Sequence, residues 1–253
     1  HTRLLSRCLA DANGVLQTVG EVRGIAPGER IYASRMMGDK GYMVTFRQID
    51  PLFTIDLSDH TNPTVMGELE LPGYSSYLHP LGDDHLLAVG MDGEMDGTIN
   101  GLAVNVFDVS DFANPTLAHQ WVLESDDWSW SEALWDHHAF TYHRGVLTFP
   151  AYTWTDMGDG DWDYFSGVIV LDASEDGITE LGRVDHRDLV ADSECYYDWA
   201  CEGEDAYYYS YAWMRRSVYI EDNLFSLSNY GIKVNDLNHP EDELASVVYR
   251  PER

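Results

Sequence analysis

Apolar and polar residues alternate along this chain in short runs, which is the pattern of β-strands. The runs MVTF (43–46) and VIVLD (168–172) have the composition of strands that are half or fully buried between stacked sheets. No stretch shows the period of about 3.6 residues that marks a long amphipathic helix. The pattern therefore predicts an all-β protein.

Four stretches repeat one order of residues: a small or aromatic pair, a cationic residue, a turn at Gly, Asp or Asn, and an apolar run. They are YASRMMGDKGYMVTF (32–46), YSSYLHPLGDDHLLAVG (74–90), SEALWDHHAFTYHRGVLTF (131–149) and YSYAWMRRSVYIEDNLFSL (209–227). We predict that each stretch forms the inner pair of strands of one sheet.

Each stretch is followed by a second unit, in which a strand, a turn and a returning strand succeed one another. These units are LFTIDLSDHTNPTVMGELELPG (52–73), LAVNVFDVSDFANPTLAHQWVL (102–123), GVIVLDASEDGITELGRVD (167–185) and YGIKVNDLNHPEDELASVVY (230–249). Asp56, Asp108, Asp172 and Asp236 occupy corresponding positions, where Asp, Asn and Pro favour turns. Two units together make a four-stranded blade, and such a repeat is typical of a β-propeller.

The segment LLSRCLADANGVLQTVGEV (4–22) resembles the second unit rather than the first. The sequence thus predicts about four and a half four-stranded blades in a single propeller domain over residues 1–253. Propellers typically close with roughly 4 to 8 blades, and closure protects strand edges that otherwise aggregate. We therefore expect this chain to be part of a larger propeller, completed by another copy or by another segment or chain. Closure as a distorted five-blade ring is the alternative.

The chain is strongly acidic. It contains 15 Lys+Arg and 44 Asp+Glu residues, which gives a formal net charge of −29. Such a surface repels nucleic-acid phosphates and anionic membranes, so neither is an expected partner. The acidity fits solubility in a salty or extracellular medium, divalent-cation binding by local carboxylate clusters, or both. No run approaches the roughly 18 to 20 apolar residues of a membrane-spanning helix.

Cys195 and Cys201 lie in an acidic, Tyr-rich insert at 192–209 that has no strand alternation. Their spacing is wider than that of most metal-binding pairs, and no Cys or His cluster completes a metal site there. We expect a disulfide that closes this loop, which implies an oxidising compartment and a secreted or cell-surface location. Cys8 is then either a buried thiol or a link to another polypeptide.

A resemblance to a known family is carried by YASRMMGDKGYMVTFRQIDPLFTIDLSDHTNPTVMGELELPGYSSYLHPLGDDHLLAVG (32–90), FDVSDFANPTLAHQW (107–121) and SEALWDHHAF (131–140). These residues resemble secreted bacterial and archaeal proteins with a C-terminal β-propeller domain distantly related to WD-type repeats. The resemblance covers about two thirds of the chain and excludes the insert at 192–209. It implies a secreted or surface propeller whose full domain is longer than this chain, and it implies no reaction.

An acidic loop between two predicted strands has the spacing of calcium ligands. In MDGEMDGTINGLA (91–103), Asp92, Glu94 and Asp96 alternate before a Gly, and Asn100 offers a further side-chain oxygen. The bidentate Glu that ends an EF-hand loop is absent, so the loop is not an EF-hand. We expect calcium here, and a solvated acidic hairpin is the alternative.

A second acidic loop follows the first unit of the next repeat. In TDMGDGDWDYF (155–165), Asp159, Asp161 and Asp163 alternate at the equivalent place. Tyr replaces the turn Gly, which weakens the match to a calcium loop. We expect calcium at this loop too, with a flexible charged loop as the alternative.

Cationic residues recur shortly before the turn of each first unit. They are Arg35, His79, His137 or His138, and Arg215 or Arg216. Because the first strand of a propeller blade lines the central channel, we predict that these side chains form a ring around the axis. Such a ring would bind an anion, or a transition metal held by its histidines with Asp136 and Glu132. The alternative is that the cations pair with neighbouring carboxylates and seal the channel.

No nucleophile elbow, Gly-rich phosphate loop or zinc-protease motif occurs in the sequence. The aromatic loops at 126–135 and 195–209 have the composition of recognition surfaces. The function we favour is a secreted, calcium-stabilised propeller that binds or assembles and does not catalyse. The alternative is a metal-dependent hydrolase or oxidoreductase with its site at the channel mouth, around His79, Asp136, His137 and His138. Propellers host both kinds of function.

Overall fold

The computed structural model describes residues 3–10, 14–46, 50–123, 128–158, 161–191 and 212–249. In this part of the chain nearly all regular structure is β-strand, which confirms the all-β prediction. The chain divides into two compact units, His1–Val122 and Leu123–Arg253. Among the described residues, no helix is long and apolar enough to cross a membrane.

In its described residues, the first unit contains a two-stranded sheet and two four-stranded sheets, all antiparallel. The small sheet pairs β1 (Arg3–Ala10) with β2 (Leu16–Arg23). The first four-stranded sheet contains, in order, β3 (Arg30–Met37), β4 (Lys40–Phe46), β5 (Asp50–Asp56) and β6 (Thr64–Leu71). The second contains β7 (Tyr74–Leu81), β8 (His85–Gly93), β9 (Ile99–Asp108) and β10 (Thr116–Val122).

The described residues of the second unit form two further antiparallel sheets. The third sheet contains β11 (Trp128–Trp130), β12 (Thr141–His143), β13 (Val146–Gly158), β14 (Asp161–Ser174) and β15 (Gly177–Asp185). The short helix α1 (Arg187–Ala191) follows β15. The fourth sheet contains β16 (Met214–Ile220), β17 (Asn223–Ser228), β18 (Gly231–Asp236) and β19 (Glu243–Val248). Within the part of the chain that the structure describes, four blade-like sheets and the β1–β2 half sheet confirm the predicted count of about four and a half.

The first strand of the third sheet departs from the sequence prediction. A continuous inner strand pair was expected over 131–149, but β11 and β12 both pair with β13 and are separated by two 3₁₀-helices. These are η1 (Glu132–Leu134) and η2 (His137–Ala139). Ser131 and Asp136 begin them, because their side chains accept the backbone N–H groups of Ala133 and His138. The residues between β11 and β12 are termed the 131–140 turn.

Aspartates recur in the turns that follow the third strands, as the sequence predicts. The side chains of Asp56, Asp108 and Asp236 each accept the backbone N–H two residues further along, at 2.8, 2.9 and 2.8 Å. Hydrogen bonds from the serines of these turns lower the pKa of the Asp56 and Asp108 carboxyls. Turn chemistry therefore fixes where each outer strand begins.

Alternating apolar residues of the strands form the core of each unit. In the first unit, Tyr42, Leu78 and Phe107 are buried in one cluster between the first and second sheets. The loop after β9 comes so close to β6 that a Cβ atom on Gly67 would lie 2.6 Å from the Ala113 carbonyl oxygen. In the second unit a separate cluster includes residues from β13, β14, β16 and β17. The sheets of each unit are thus stacked face to face through buried side chains.

Candidate functional site

The β8–β9 hairpin carries the first set of predicted calcium ligands. Asn100 Nδ2 donates hydrogen bonds to Asp92 Oδ2 at 2.9 Å and to Glu94 Oε1 at 3.2 Å. Gln120 on β10 donates a further hydrogen bond to Asp92 Oδ1, at 3.3 Å. The hairpin therefore brings Asp92, Glu94 and Asn100 together, and the Asn100 amide relieves the repulsion between the two carboxylates.

Asp96 has a different role in the same hairpin. Its Oδ1 atom accepts the backbone N–H of Thr98 at 2.9 Å, which lowers the pKa of its carboxyl. The N–H of Gly97 closes the turn on the carbonyl oxygen of Glu94 at 2.9 Å, with a positive φ of 91° at Gly97. Asp96 thus stabilises the tip of the hairpin.

The second predicted calcium loop lies at the β13–β14 hairpin. Asp163 Oδ1 lies 3.0 Å from Arg187 Nη1, so this carboxylate forms an ion pair on the surface. Arg187 also lies 2.7 Å from Asp185 Oδ2. Asp161 is the first residue of β14, and Asp159 lies outside the described residues. In the described part of the loop, Asp163 is neutralised by arginine.

Across the residues that the structure describes, no three His, Cys, Asp or Glu side chains are grouped so that they could hold a metal ion. The predicted disulfide partners Cys195 and Cys201, and the rest of the insert at 192–209, lie outside the described residues. Cys8 is in β1.

The residues that correspond in the first strands of the four sheets can be read from the pairing of each first strand with the next strand. This set differs from the one aligned by sequence. Counted from the hairpin turn, Arg35 on β3 and His79 on β7 both stand in the third residue pair. The same pair contains Thr141 on β12 and Val218 on β16. Arg35 and His79 therefore stand at equivalent strand positions, whereas the cationic residues named for the third and fourth sheets do not. The ring around the axis stays a prediction.

Two features of the second unit account for the difference. His137 and His138 lie in the 131–140 turn, which interrupts the first strand of the third sheet. Arg215 lies at a β-bulge near the beginning of β16, far from the hairpin turn. A repeat alignment without insertions assigns these residues to the wrong register.

Arg35 and His79 are close enough to affect each other electrostatically. Burial and, next in importance, the charge of the Arg35 guanidinium lower the pKa of the His79 imidazole. His79 is half-buried, and its ring centroid lies 6.3 Å from that of Tyr77. Both effects favour the neutral imidazole over the imidazolium.

The 131–140 turn holds its polar side chains in a fixed network. Asp136 Oδ1 accepts the His138 backbone N–H at 2.9 Å and lies 2.8 Å from His138 Nδ1. Hydrogen bonds from His138, together with the charges of His138 and Arg216, lower the pKa of the Asp136 carboxyl. Ser131 Oγ donates to the Pro150 carbonyl oxygen at 2.5 Å, so its hydroxyl joins the turn to β13.

This network presents an indole to solvent. The Trp135 side chain is 78% exposed, more than any other large apolar side chain among the described residues, whereas Trp128 on β11 is 48% exposed. On the neighbouring first strands, the rings of His143 and Tyr219 stack with centroids 3.6 Å apart. The Trp135 indole on this ordered turn offers a large apolar contact area to a partner.

The family model described as "Beta propeller domain" matches residues 4–239. This chain belongs to the beta propeller domain family. The match spans both units, from the β1–β2 half sheet to the loop before β19. The remaining features of the resemblance found in the sequence stay predictions: a C-terminal position of the domain, secretion and a distant kinship with WD-type repeats.

This beta propeller domain is similar to part of two archaeal proteins. An uncharacterized protein of Methanocaldococcus jannaschii is 45% identical over 139 residues, and an uncharacterized protein of Archaeoglobus fulgidus is 41% identical over 138 residues. Each match covers 54% of this chain and 21% of the relative. The matched part therefore spans about a fifth of the length of these relatives.

Sequence reasoning missed a cleft in the first unit of the beta propeller domain. Glu29, Glu68 and Glu70 line it together with apolar residues. The alternation in GELEL (67–71) places Glu68 and Glu70 on one face of a strand and was the available signal. Glu29 comes from a distant segment, so the sequence does not indicate that the three carboxylates converge.

Proposed function

We propose that this beta propeller domain is a binding or assembly scaffold that contacts its partner through the 131–140 turn. The observation that carries the proposal is the exposure of Trp135 on a turn whose polar groups are already hydrogen-bonded. Covering an indole that is exposed to water lowers the free energy of the complex and so favours binding. A turn that is ordered beforehand loses little conformational entropy on binding.

The surroundings of Trp135 fit a protein partner. Trp, Tyr and Arg dominate the energetic hot spots of protein interfaces, and Arg216 and Tyr219 lie on β16, next to the 131–140 turn. The Asp136–His138 pair remains accessible to solvent and places polar side chains at the rim of this surface. The expected partner surface has an apolar pocket for the indole, with polar groups around it.

Site-specific photocross-linking tests this proposal. A benzophenone amino acid replaces Trp135 in the full-length protein of the source organism, and a matched variant carries it at Trp128, which is partly exposed on a regular strand. We expect a discrete adduct from position 135. Added purified chain should suppress this adduct by competition, whereas added Trp135→Ala chain should not. The purified chain alone, cross-linked at 135, distinguishes another copy of this chain from a different partner.

Two results would contradict the scaffold surface. Equal adducts at positions 135 and 128 would show that exposure alone governs cross-linking. No adduct at 135, either in cells or with the purified chain, would show that this turn contacts no protein.

We further propose that calcium stabilises the scaffold at the β8–β9 hairpin. The convergence of Asp92, Glu94 and Asn100 supports it, because these side chains supply hard oxygen ligands within one short loop. Rotation of the Asn100 amide by half a turn replaces its N–H donors with a carbonyl oxygen that a cation can use. The corresponding measurement is given in the Discussion.

We also propose that a further strand pair completes the β1–β2 sheet. This sheet has two strands within the described residues, whereas the other sheets have four or more, and open strand edges favour pairing. The added strands come from another copy or from another segment or chain. Native mass spectrometry of this chain tests the first source: oligomers support it, and a stable monomer at micromolar concentration contradicts it.

The predicted disulfide between Cys195 and Cys201 and an extracytoplasmic location are part of the same proposal. Their support is the sequence of the insert at 192–209. Mass spectrometry of unreduced protein measures the thiol state. Two free thiols would contradict the disulfide and remove the argument for an oxidising compartment.

A further inference from the structure

A cleft of about 710 Å³ opens on the surface of the first unit. One wall is the connection between β2 and β3, from Arg23 to Glu29, and the opposite wall is formed by β5 and β6. The connection is held in shape by a hydrogen bond from Glu29 N to the Ala26 carbonyl oxygen at 3.1 Å. The volume lies in the range of known ligand sites.

The lining of the cleft is apolar at its base. Ile25 and Phe53 are buried there and belong to one core cluster with residues of β4 and β5. Pro51 and Val65 also line the cleft, and Val65 is exposed. An apolar stem inserted here is therefore removed from water on several sides.

Three carboxylates surround this apolar base. Phe53 pairs with Glu68 and Pro51 with Glu70 across β5 and β6, so both glutamates stand on the face that lines the cleft. Glu29 comes from the opposite wall, and its Oε2 atom accepts a hydrogen bond from Thr45 Oγ1 at 2.6 Å. The arrangement combines an apolar base with an acidic rim.

The carboxylates are close enough to repel one another. Burial raises the pKa of Glu68, and the negative charges of Glu70 and Glu29 raise it further. Arg23 also lines the cleft, but its Nε atom lies 2.6 Å from Glu21 Oε1 and is engaged there. An added positive charge between the glutamates would relieve this repulsion.

A bare metal ion does not match this geometry, because in the described residues no three acidic or histidine side chains form a metal-holding group. A guanidinium or ammonium group on an apolar stem reaches separate carboxylates and covers the apolar base at once. Lysine and arginine side chains have this combination.

The edge of β6 indicates how such side chains arrive. β6 is the last strand of its sheet and pairs only with β5 in the described structure. Its exposed apolar residues include Val65 and Met66. An extended peptide can add to such an edge through main-chain hydrogen bonds, while alternate side chains enter neighbouring pockets.

We propose that this cleft binds an extended basic peptide segment, whose arginine or lysine side chains enter between Glu29, Glu68 and Glu70. The site is distinct from the 131–140 turn and does not depend on its function. The strong overall negative charge of the chain attracts such a segment from a distance, and the cleft determines where it binds.

Fluorescence anisotropy with a labelled, end-blocked peptide of alternating leucine and arginine tests the proposal. Matched peptides replace arginine by glutamine or leucine by glycine. The cleft variant carries Glu68→Gln and Glu70→Gln. The control variant carries Asp39→Asn and Asp83→Asn, which change the net charge equally at exposed turns of the same unit.

We expect the leucine–arginine peptide to bind most tightly. The cleft variant should weaken its binding about tenfold or more, because two of the three cation partners are lost. The control variant should change the affinity less than about twofold at physiological salt, since neither aspartate lines the cleft and charges far from a bound peptide are screened. Val65→Arg, which places a cation of the chain at the cleft, should also weaken binding and is independent of the glutamate changes.

Three outcomes would overturn the proposal. An equal loss in the cleft and control variants would show attraction by the overall charge alone. Equal binding of the leucine–glutamine peptide would show apolar adhesion to the β6 edge. Binding of arginine amide as tight as that of the peptide would show a site for small cations and no peptide site.

Discussion

His186 Nε2 lies 2.7 Å from Ser226 Oγ, and both side chains are fully buried in the second unit. His186 Nδ1 lies 3.0 Å from Ser228 Oγ, so one imidazole joins the end of β15 to two positions on β17. Burial and, next, the charge of Lys233 lower the pKa of His186 to about 4. The folded protein therefore keeps this imidazole neutral at pH values where an unfolded histidine is charged.

The stability of the protein should fall in mild acid for this reason. An unfolded histidine has a pKa near 6.5, so between about pH 6.5 and about pH 4 the unfolded chain binds a proton that the folded chain does not. The free energy of unfolding should decrease through this window by up to roughly 3 kcal/mol. Urea unfolding at several pH values measures it. His186→Gln should make the free energy of unfolding less dependent on pH in this window than the exposed control His137→Gln does. An unchanged pH dependence in His186→Gln would show that His186 is not the group responsible.

Lys233 should contribute more to stability than an exposed cation. Its ammonium lies 2.7 Å from Asp188 Oδ2 and 3.1 Å from Glu243 Oε2, and its side chain is only 8% exposed. Lys233→Met removes the cation that both carboxylates contact, and should reduce the free energy of unfolding by about 1–2 kcal/mol. The loss stays this small because both carboxylates keep contact with water. Arg144→Met, at the exposed pair with Asp222, should have almost no effect. Chemical unfolding compares the two variants.

Tyr152 should stabilise the contact between the third and fourth sheets of the second unit. Its hydroxyl donates to the Met214 carbonyl oxygen at 3.0 Å and accepts the Met214 N–H at 2.5 Å. Tyr152→Phe leaves both backbone groups without this partner in a buried place, at a cost of about 1–3 kcal/mol. Thermal unfolding is the measurement, with exposed Tyr219→Phe as the control. Equal midpoints for the two variants would contradict the prediction.

Calcium should raise the thermal midpoint through the β8–β9 hairpin. At a concentration ten times the dissociation constant, binding to the folded state alone adds about 1.4 kcal/mol of stability. The pair Asp92→Asn and Glu94→Gln should abolish the increase, because hard oxygen charge is lost. Asn100→Asp should enlarge it, since a third carboxylate raises cation affinity and lowers stability without calcium. Calorimetry measures the thermal midpoint of each variant with calcium and with chelator. An equal calcium response in all variants would show that calcium does not bind at this hairpin.

Much of the fold follows from local sequence. The period-two alternation, the aspartates at 56, 108 and 236, and the Gly or Asn turns fix strands and hairpins within about fifty residues of one another. These signals are local because a strand and its antiparallel neighbour are adjacent in the chain. They were sufficient to predict the four sheets, the half sheet β1–β2 and the positions of their turns.

The chemistry of the surface depended on tertiary structure. The 131–140 turn replaces part of a strand because Ser131 and Asp136 begin 3₁₀-helices, and a repeat alignment does not include such an insertion. The acidic cleft requires the β2–β3 connection to lie against β5 and β6. The neutral state of His186 arises from burial against a strand about forty residues away. Sequence alone determined the repeating strands, because their signals are local, whereas packing between distant segments decided which side chains meet and which remain in water.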